Sequence, residues 1–232
     1  MSNKNKKTST LSELFTSRQQ TDLINMLTYH EGGFHTVAYS DTKEKMTAGI
    51  GINLSSVKGL SREQRTGKAE IPRKTLEKLF NKKLETAAKD AIQFIGKKEE
   101  FKQLSPVKRS AIVQMAFNMG LPRLKGFKRF RAFTKAGIAF KGRPEEKGFF
   151  VKAQNEMIHS KWSRQTGNRA IDLQKSFLTD KLMVDDKDQN YFMLKAHADG
   201  KNKLAANNSQ EKINSFDSIA DGNITLHLQE QP

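Results

Sequence analysis

Two carboxylic acids and a hydroxyl carry the sharpest chemical signal in the sequence: Glu31, Asp41 and Thr47. Cleaving a glycosidic bond asks for this set. One carboxylic acid must protonate the leaving oxygen while a second carboxylate activates water or attacks the sugar carbon. A threonine hydroxyl can hold that water. The three groups share a cleft if a helix ends at Glu31 and a hairpin turns between Asp41 and Thr47. Surface hairpins commonly carry acids and threonines as well, so the trio by itself leaves a plain structural reading open.

The elements that must position these groups follow from spacing. From Gln20 to His30, Leu23, Ile24 and Leu27 recur at helical intervals, and Gly32-Gly33 supplies the left-handed conformation that ends helices, so Glu31 falls on or just past the last turn. Phe34 to Asn53 reads as a hairpin. Met46, Ala48, Ile50 and Ile52 alternate with Thr47, Gly49, Gly51 and Asn53, the period of a strand with one apolar face and one small, open face that includes Thr47. Pairing Val37–Asp41 with Thr47–Asn53 across the turn Thr42–Met46 sets Asp41 opposite Thr47, both facing the helix end that carries Glu31.

A long helix is expected from near Pro72 towards Gly96, since proline is tolerated in a first helical turn. Leu76, Leu79, Phe80, Leu84, Ala87, Ala88, Ala91, Ile92 and Ile95 form its apolar stripe. The next helix has Ser105 as N-cap and Pro106 at its first position. Its body, Ala111 to Met119, is apolar nearly all round, which marks the buried centre of a helical lobe, with Asn118 as a polar exception. Amphipathic pieces follow at about 127–136, 146–159 and 169–178, and no period suggests internal repeats. The fold class is therefore α+β, mainly α: a small lobe at about 31–72, a connecting helix, and a larger helical lobe at about 76–186.

Composition narrows the function classes. With no Cys in 232 residues, a disulfide framework, Cys-ligated zinc and a thiol nucleophile are excluded. The apolar runs are far shorter than the roughly 20 residues that cross a bilayer. Met1 to Lys7 gives a basic start, but Leu11–Phe15 is short and holds Glu13, so no export signal is recognised. Lys and Arg number 41 against 25 Asp and Glu, a formal charge of +16, which favours a polyanionic partner of either kind, nucleic acid or acidic envelope polymer. Residues 1–17 read as a basic flexible arm. Residues 187–232 read as an extension of unassigned role, in which 190–198 can add a helix and 224–228 a strand. The five His show no metal-ligand spacing, so neither a metal nor a cofactor is expected.

The residues around the trio carry a resemblance that spans most of the chain. Glu31-Gly32-Gly33, Tyr39-Ser40-Asp41-Thr42 and Thr47-Ala48-Gly49-Ile50-Gly51 resemble the active-site signature of the phage-type lysozymes, the endolysin family. Leu76-Glu77-Lys78-Leu79-Phe80-Asn81 resembles that family's interlobe helix, and Ala116-Phe117-Asn118-Met119-Gly120 with Gly126-Phe127 its buried helix and following turn. Ser160-Lys161-Trp162 and Gln165-Thr166-Gly167-Asn168-Arg169-Ala170 resemble its C-terminal signature, giving coverage from about Arg18 to about Asp186. The resemblance implies a lysozyme-like two-lobed catalytic domain at 18–186. It implies a muramidase that cuts the β-1,4 bond between N-acetylmuramic acid and N-acetylglucosamine in peptidoglycan, for wall lysis or local wall penetration. Glu31 is then the general acid, and Asp41 and Thr47 position water for an inverting reaction, which calls for a carboxyl separation of roughly 6.5–9.5 Å.

The resemblance also sets Arg169 beside Glu31, where it opposes the proton that partial burial favours. Gly51, Asn53, Phe117, Asn118 and Arg169 become candidates for binding substrate in the sugar cleft, although Phe117 equally fits the core. Trp162 is expected to be structural. Nine residues lie between Glu31 and Asp41, one more than the family usually leaves, so the first strand must absorb it as a bulge or longer entry loop. Ile52 stands where the family commonly has His.

Two rivals remain. One keeps the fold as a catalytically degenerate peptidoglycan-binding or particle-assembly module. The other is a nucleic-acid binder, suggested by Lys97-Lys98, Lys108-Arg109, Lys125, Lys128-Arg129 and Arg131, but no nucleic-acid motif accompanies these runs. The expected partner is bacterial peptidoglycan, with electrostatic attraction to an anionic envelope and no specific nucleic acid. The chain is expected to act as a monomer unless the extension mediates assembly. Synthesis in a bacterial cytoplasm is expected, with delivery to the periplasmic wall by a holin, a phage particle or a secretion apparatus.

Overall fold

The computed structural model describes residues 9–41 and 44–182. The expected extension at 187–232, with its candidate helix and strand, lies outside the described residues, as do residues 1–8 of the expected arm. The rest of that arm is corrected: Thr10–Leu14 is a helix, α1, capped by the Ser9 side chain. Leu11, Leu14 and Phe15 are buried, and the Glu85 carboxylate accepts the Thr10 and Leu11 N–H groups at 3.0 and 3.3 Å. Burying these side chains offsets the entropy of ordering the segment, at about 1.5–3 kcal/mol for each large apolar one.

Helix α2 (Ser17–His30) starts in a Thr16/Gln19 capping box, and Leu23, Met26 and Leu27 fill its buried face. Three short strands follow: β1 (His35–Ser40), β2 (Met46–Gly49) and β3 (Ile52–Asn53), joined in that order as an antiparallel sheet. The single strand expected over 46–53 is thus two. Gly49 and Gly51 both have φ of 62°, a conformation that costs glycine little, and they reverse the chain around Ile50. The register is corrected as well: Thr47 pairs with Tyr39 and Asn53, and Asp41 lies beyond the last pair, Ser40 with Met46. The register is irregular between His35 and Tyr39, the stretch in which an extra residue had to be absorbed.

After a 3-10 turn (Leu54–Ser56) and α3 (Arg62–Arg65), the interlobe helix α4 runs from Arg73 to Ile95, with Pro72 before it and Gly96 after it. Its stripe is buried at Leu76, Phe80, Leu84, Ala87, Ala88, Ala91 and Ile95. Its early turns touch β2 and β3, and its length packs on α6. Helix α5 (Lys98–Lys102) leads to α6 (Pro106–Leu124), capped by Ser105, in which every residue from Ala111 to Phe117 is buried. Around it lie α7 (Lys128–Ala139), α8 (Glu145–Ile158), α9 (Lys161–Thr166) and α10 (Asn168–Thr179). Phe94, Phe101, Phe130 and Phe177 are each less than 2% exposed at the centre of this lobe. Among the described residues, no helix is long and apolar enough to cross a membrane.

Candidate active site

The end of α2 sets Glu31. Its N–H still donates to Leu27 O at 2.9 Å, and Gly32 and Gly33 then turn the chain away with φ of 77° and 111°. The Glu31 side chain is 17% exposed, and its Oε1 accepts a hydrogen bond from the Arg169 guanidinium at 2.7 Å. Arg169, in the first turn of α10, is buried. On the other side, Oε2 lies against Gly51, where a Cβ would sit only 2.1 Å away. Only glycine lets the β2–β3 loop close on the acid.

The hairpin sets the other two groups. Asp41 N–H donates to Lys45 O at 2.9 Å, and Asp41 Oδ1 accepts Lys45 N–H at 2.8 Å, so the carboxylate is fixed by its own turn. Thr47 was expected on an open face; it lines the cleft but is only 5% exposed. Its hydroxyl donates to Lys45 O at 3.1 Å, which leaves the oxygen's lone pairs for an outside donor such as water. The Tyr39 phenol is pushed up to about 12 by burial and then by the charges of Glu31 and Asp41. The fields of both acids meet at this one ring.

Glu31, Asp41 and Thr47 line a single cleft of about 670 Å³, together with Tyr39, Gly51 and Asn53 from the small lobe and Asn118 from the helical lobe. Asn53 Oδ1 accepts Ser55 N–H at 2.9 Å, and Asn118 Oδ1 accepts the Trp162 indole N–H at 2.9 Å. Each amide therefore has its NH₂ group to offer a ligand. Phe117 and Arg169, also expected at the sugar cleft, do not line it. Phe117 is 3% exposed, packed against Phe80 with ring centroids 5.7 Å apart, because α6 is covered on all sides at that level. Arg169 stands behind Glu31. Trp162, expected to be structural, is buried, yet one edge of it reaches the cleft.

His30 has a structural place: its ring nitrogens lie 3.2 Å from Gln114 Oε1 and 3.2 Å from Asp172 Oδ2, tying α2 to α6 and α10. Among the described residues, no group of three or more His, Cys, Asp or Glu is arranged to hold a metal ion.

Sequence reasoning missed four cations of the cleft: Lys45 on the hairpin lip, Arg123 and Lys161 on the helical lip, and Lys83 on its floor. For Lys83 the signal was present. It lies seven residues after Leu76 and four before Ala87, on the buried stripe of α4, where a charge has no place unless something in the site receives it. Its Nζ donates to Gly51 O at 2.8 Å and stands 3.8 Å from the centre of the Phe117 ring. Burial pushes this ammonium down to about 8, with Glu31 acting to raise it and Arg169 to lower it.

Two comparisons with known proteins bear on this cleft. The family model described as phage lysozyme matches residues 29–169, a span that includes every residue lining the cleft, and Arg169 behind Glu31. The chain is also 30% identical over 160 residues to a Dictyostelium discoideum protein described as probable T4-type lysozyme 1, an overlap of 63% of this chain and 87% of that one.

Proposed function

Because the chain belongs to the phage lysozyme family, whose activity is a muramidase-like hydrolysis of peptidoglycan, we propose that it cuts the β-1,4 bond between N-acetylmuramic acid and N-acetylglucosamine with inversion. The observation that carries this reading is the convergence of Glu31, Asp41 and Thr47 on one cleft. Arg169 occupies Oε1 of Glu31, so Oε2, at the Gly51 wall, is the oxygen that carries the proton to the leaving sugar oxygen. Water enters from the hairpin side. Thr47 accepts one of its hydrogens, and Asp41, held by the Lys45 N–H, takes the proton that is lost as the oxygen attacks the anomeric carbon. The NH₂ groups of Asn53 and Asn118 fix the acetamido sugars. The net charge of +16 draws the enzyme to anionic wall polymers, in keeping with wall lysis or local wall penetration.

The test is digestion of purified peptidoglycan by the wild type beside Glu31→Gln, with mass analysis of the fragments. The expected products are disaccharide-peptides with reducing N-acetylmuramic ends, lost in the variant. Anhydro ends would replace hydrolysis with a lytic transglycosylase, and cut peptide bonds would reject glycosidase chemistry.

A further inference from the structure

Of the cleft's cations that the proposed reaction does not use, Lys83 is the one drawn in from solvent, whereas Arg123 and Lys161 are exposed. Its two close partners carry no formal charge: the Gly51 carbonyl at 2.8 Å and the Phe117 ring at 3.8 Å. A neutral side chain of similar length would keep the apolar packing on that ring and lose only its attraction for a cation. What calls for a cation is the carbonyl and the acid beyond it. Gly51 is held between the two, with its oxygen on Lys83 and its Cα face against Oε2 of Glu31.

We propose that Lys83 is a positioning residue for Glu31: it clamps the Gly51 loop to the interlobe helix so that the loop seats the acid, and its ammonium is electrostatically coupled to the acid's carboxylate across that loop. This rests on Glu31 being the general acid, as read above. The groups facing Lys83 decide the sign. Glu31, at the end of α2, favours the ammonium, and Arg169, from α10, disfavours it. Further out in the same cleft stand Tyr39, Asp41 and Lys45 from the hairpin and Arg123 and Lys161 from the helical rim. Lys83 is the adjustable cation, because desolvation brings its own loss of charge to about 8. While charged, it stabilises the Glu31 carboxylate and so works against the proton that the acid must deliver. Once neutral, it leaves Arg169 as the one close cation on that carboxylate among the described residues.

Three variants and two readouts test this: Lys83→Met, Lys83→Arg and Glu31→Gln, each with a thermal unfolding curve. The first readout is kcat/KM on purified peptidoglycan against pH, whose alkaline limb follows the protonated acid. Lys83→Met should move that limb upward by about half a pH unit or more, as expected for removing a nearby cation. Lys83→Arg should leave it in place. The second readout needs no turnover: the lysine side-chain NMR signals of the whole chain. One of them should titrate near 8 in the wild type, vanish in Lys83→Met, and move to lower pH in Glu31→Gln. An unmoved alkaline limb in a folded Lys83→Met, beside an active wild type, would reduce Lys83 to a loop clamp and overturn the charge role. The same lysine midpoint in wild type and Glu31→Gln would overturn it without reference to catalysis. A wild type that leaves the wall intact would refute the enzymatic reading, while the lysine titration would still decide whether the two charges are coupled.

Discussion

Replacing Gly51 by alanine is the most direct probe of how the acid is seated. The new Cβ would stand 2.1 Å from Glu31 Oε2 and 2.4 Å from its Cδ, whereas ordinary contact begins near 3.4 Å, so the carboxyl and the loop must separate by about 1.3 Å. The loop cannot absorb this freely, because Lys83 holds its carbonyl at 2.8 Å and Arg169 holds the acid at 2.7 Å. Misplacing a reacting group by about 1 Å costs on the order of 10²-fold in rate, or about 2.7 kcal/mol of barrier. The left-handed backbone adds a separate cost of about 1–2 kcal/mol in stability for any residue with a Cβ. Gly59 separates the two effects: its φ is 81° and a Cβ there meets nothing within 4 Å. Gly59→Ala should lose about the same stability by urea unfolding and keep full turnover of peptidoglycan, while Gly51→Ala loses about 100-fold in kcat. If the two variants hydrolyse the wall within about threefold of each other, the reasoning from contact distance to catalysis is wrong.

Three further outcomes follow from the packing and the charges. Arg169→Met should cost about 2–3 kcal/mol, less than a fully buried pair because Glu31 is 17% exposed, and adding Glu31→Gln should restore most of it; a double-mutant cycle in urea measures the coupling. Leu14→Ala should cost about 2–4 kcal/mol, since Leu14 is 3% exposed, whereas a dangling arm would leave the unfolding midpoint unchanged. The third concerns alkaline pH. With Lys83 pushed down to about 8 from 10.5, the folded chain binds fewer protons than the unfolded one across that window, so wild-type stability relative to Lys83→Met should rise as pH climbs from about 8 to about 10.5. Tyr39 acts with the opposite sign. Its phenol is raised from 10.0 to about 12, so the folded chain holds the extra proton and stability relative to Tyr39→Phe should fall over that range.

Much of the scaffold was legible because long periodic segments leave few choices. The stripe of α4 and the all-apolar body of α6 each fix a helix and its buried face, and Ser105-Pro106 marks a start that the structure keeps. Glu31 was legible for the same reason: a helix followed by Gly32-Gly33 can end in few places. The hairpin was not. Alternation of small and apolar residues over 46–53 suits one strand or two, and the choice is made by two glycines whose left-handed backbone the sequence permits but does not demand. Helix α1 has five residues, too few to show a period, and besides its local Ser9 cap its first turn is tied down by Glu85, distant in sequence. Lys83 stood on a visible apolar stripe, but a stripe does not say which carbonyl waits opposite it.

Trp162 is the one tryptophan in the chain, and its indole N–H is bonded to Asn118 on the cleft wall. Light at the red edge of the protein's aromatic absorption band, beyond the reach of tyrosine, therefore excites a single fluorophore, seated beside the cleft. Saccharide occupancy becomes readable as a change in emission, without a label and without turnover, even in variants that have lost the acid. The same fluorophore sits among the helices of the larger lobe, so such titrations belong well below the unfolding temperature, where only the ligand can alter its surroundings.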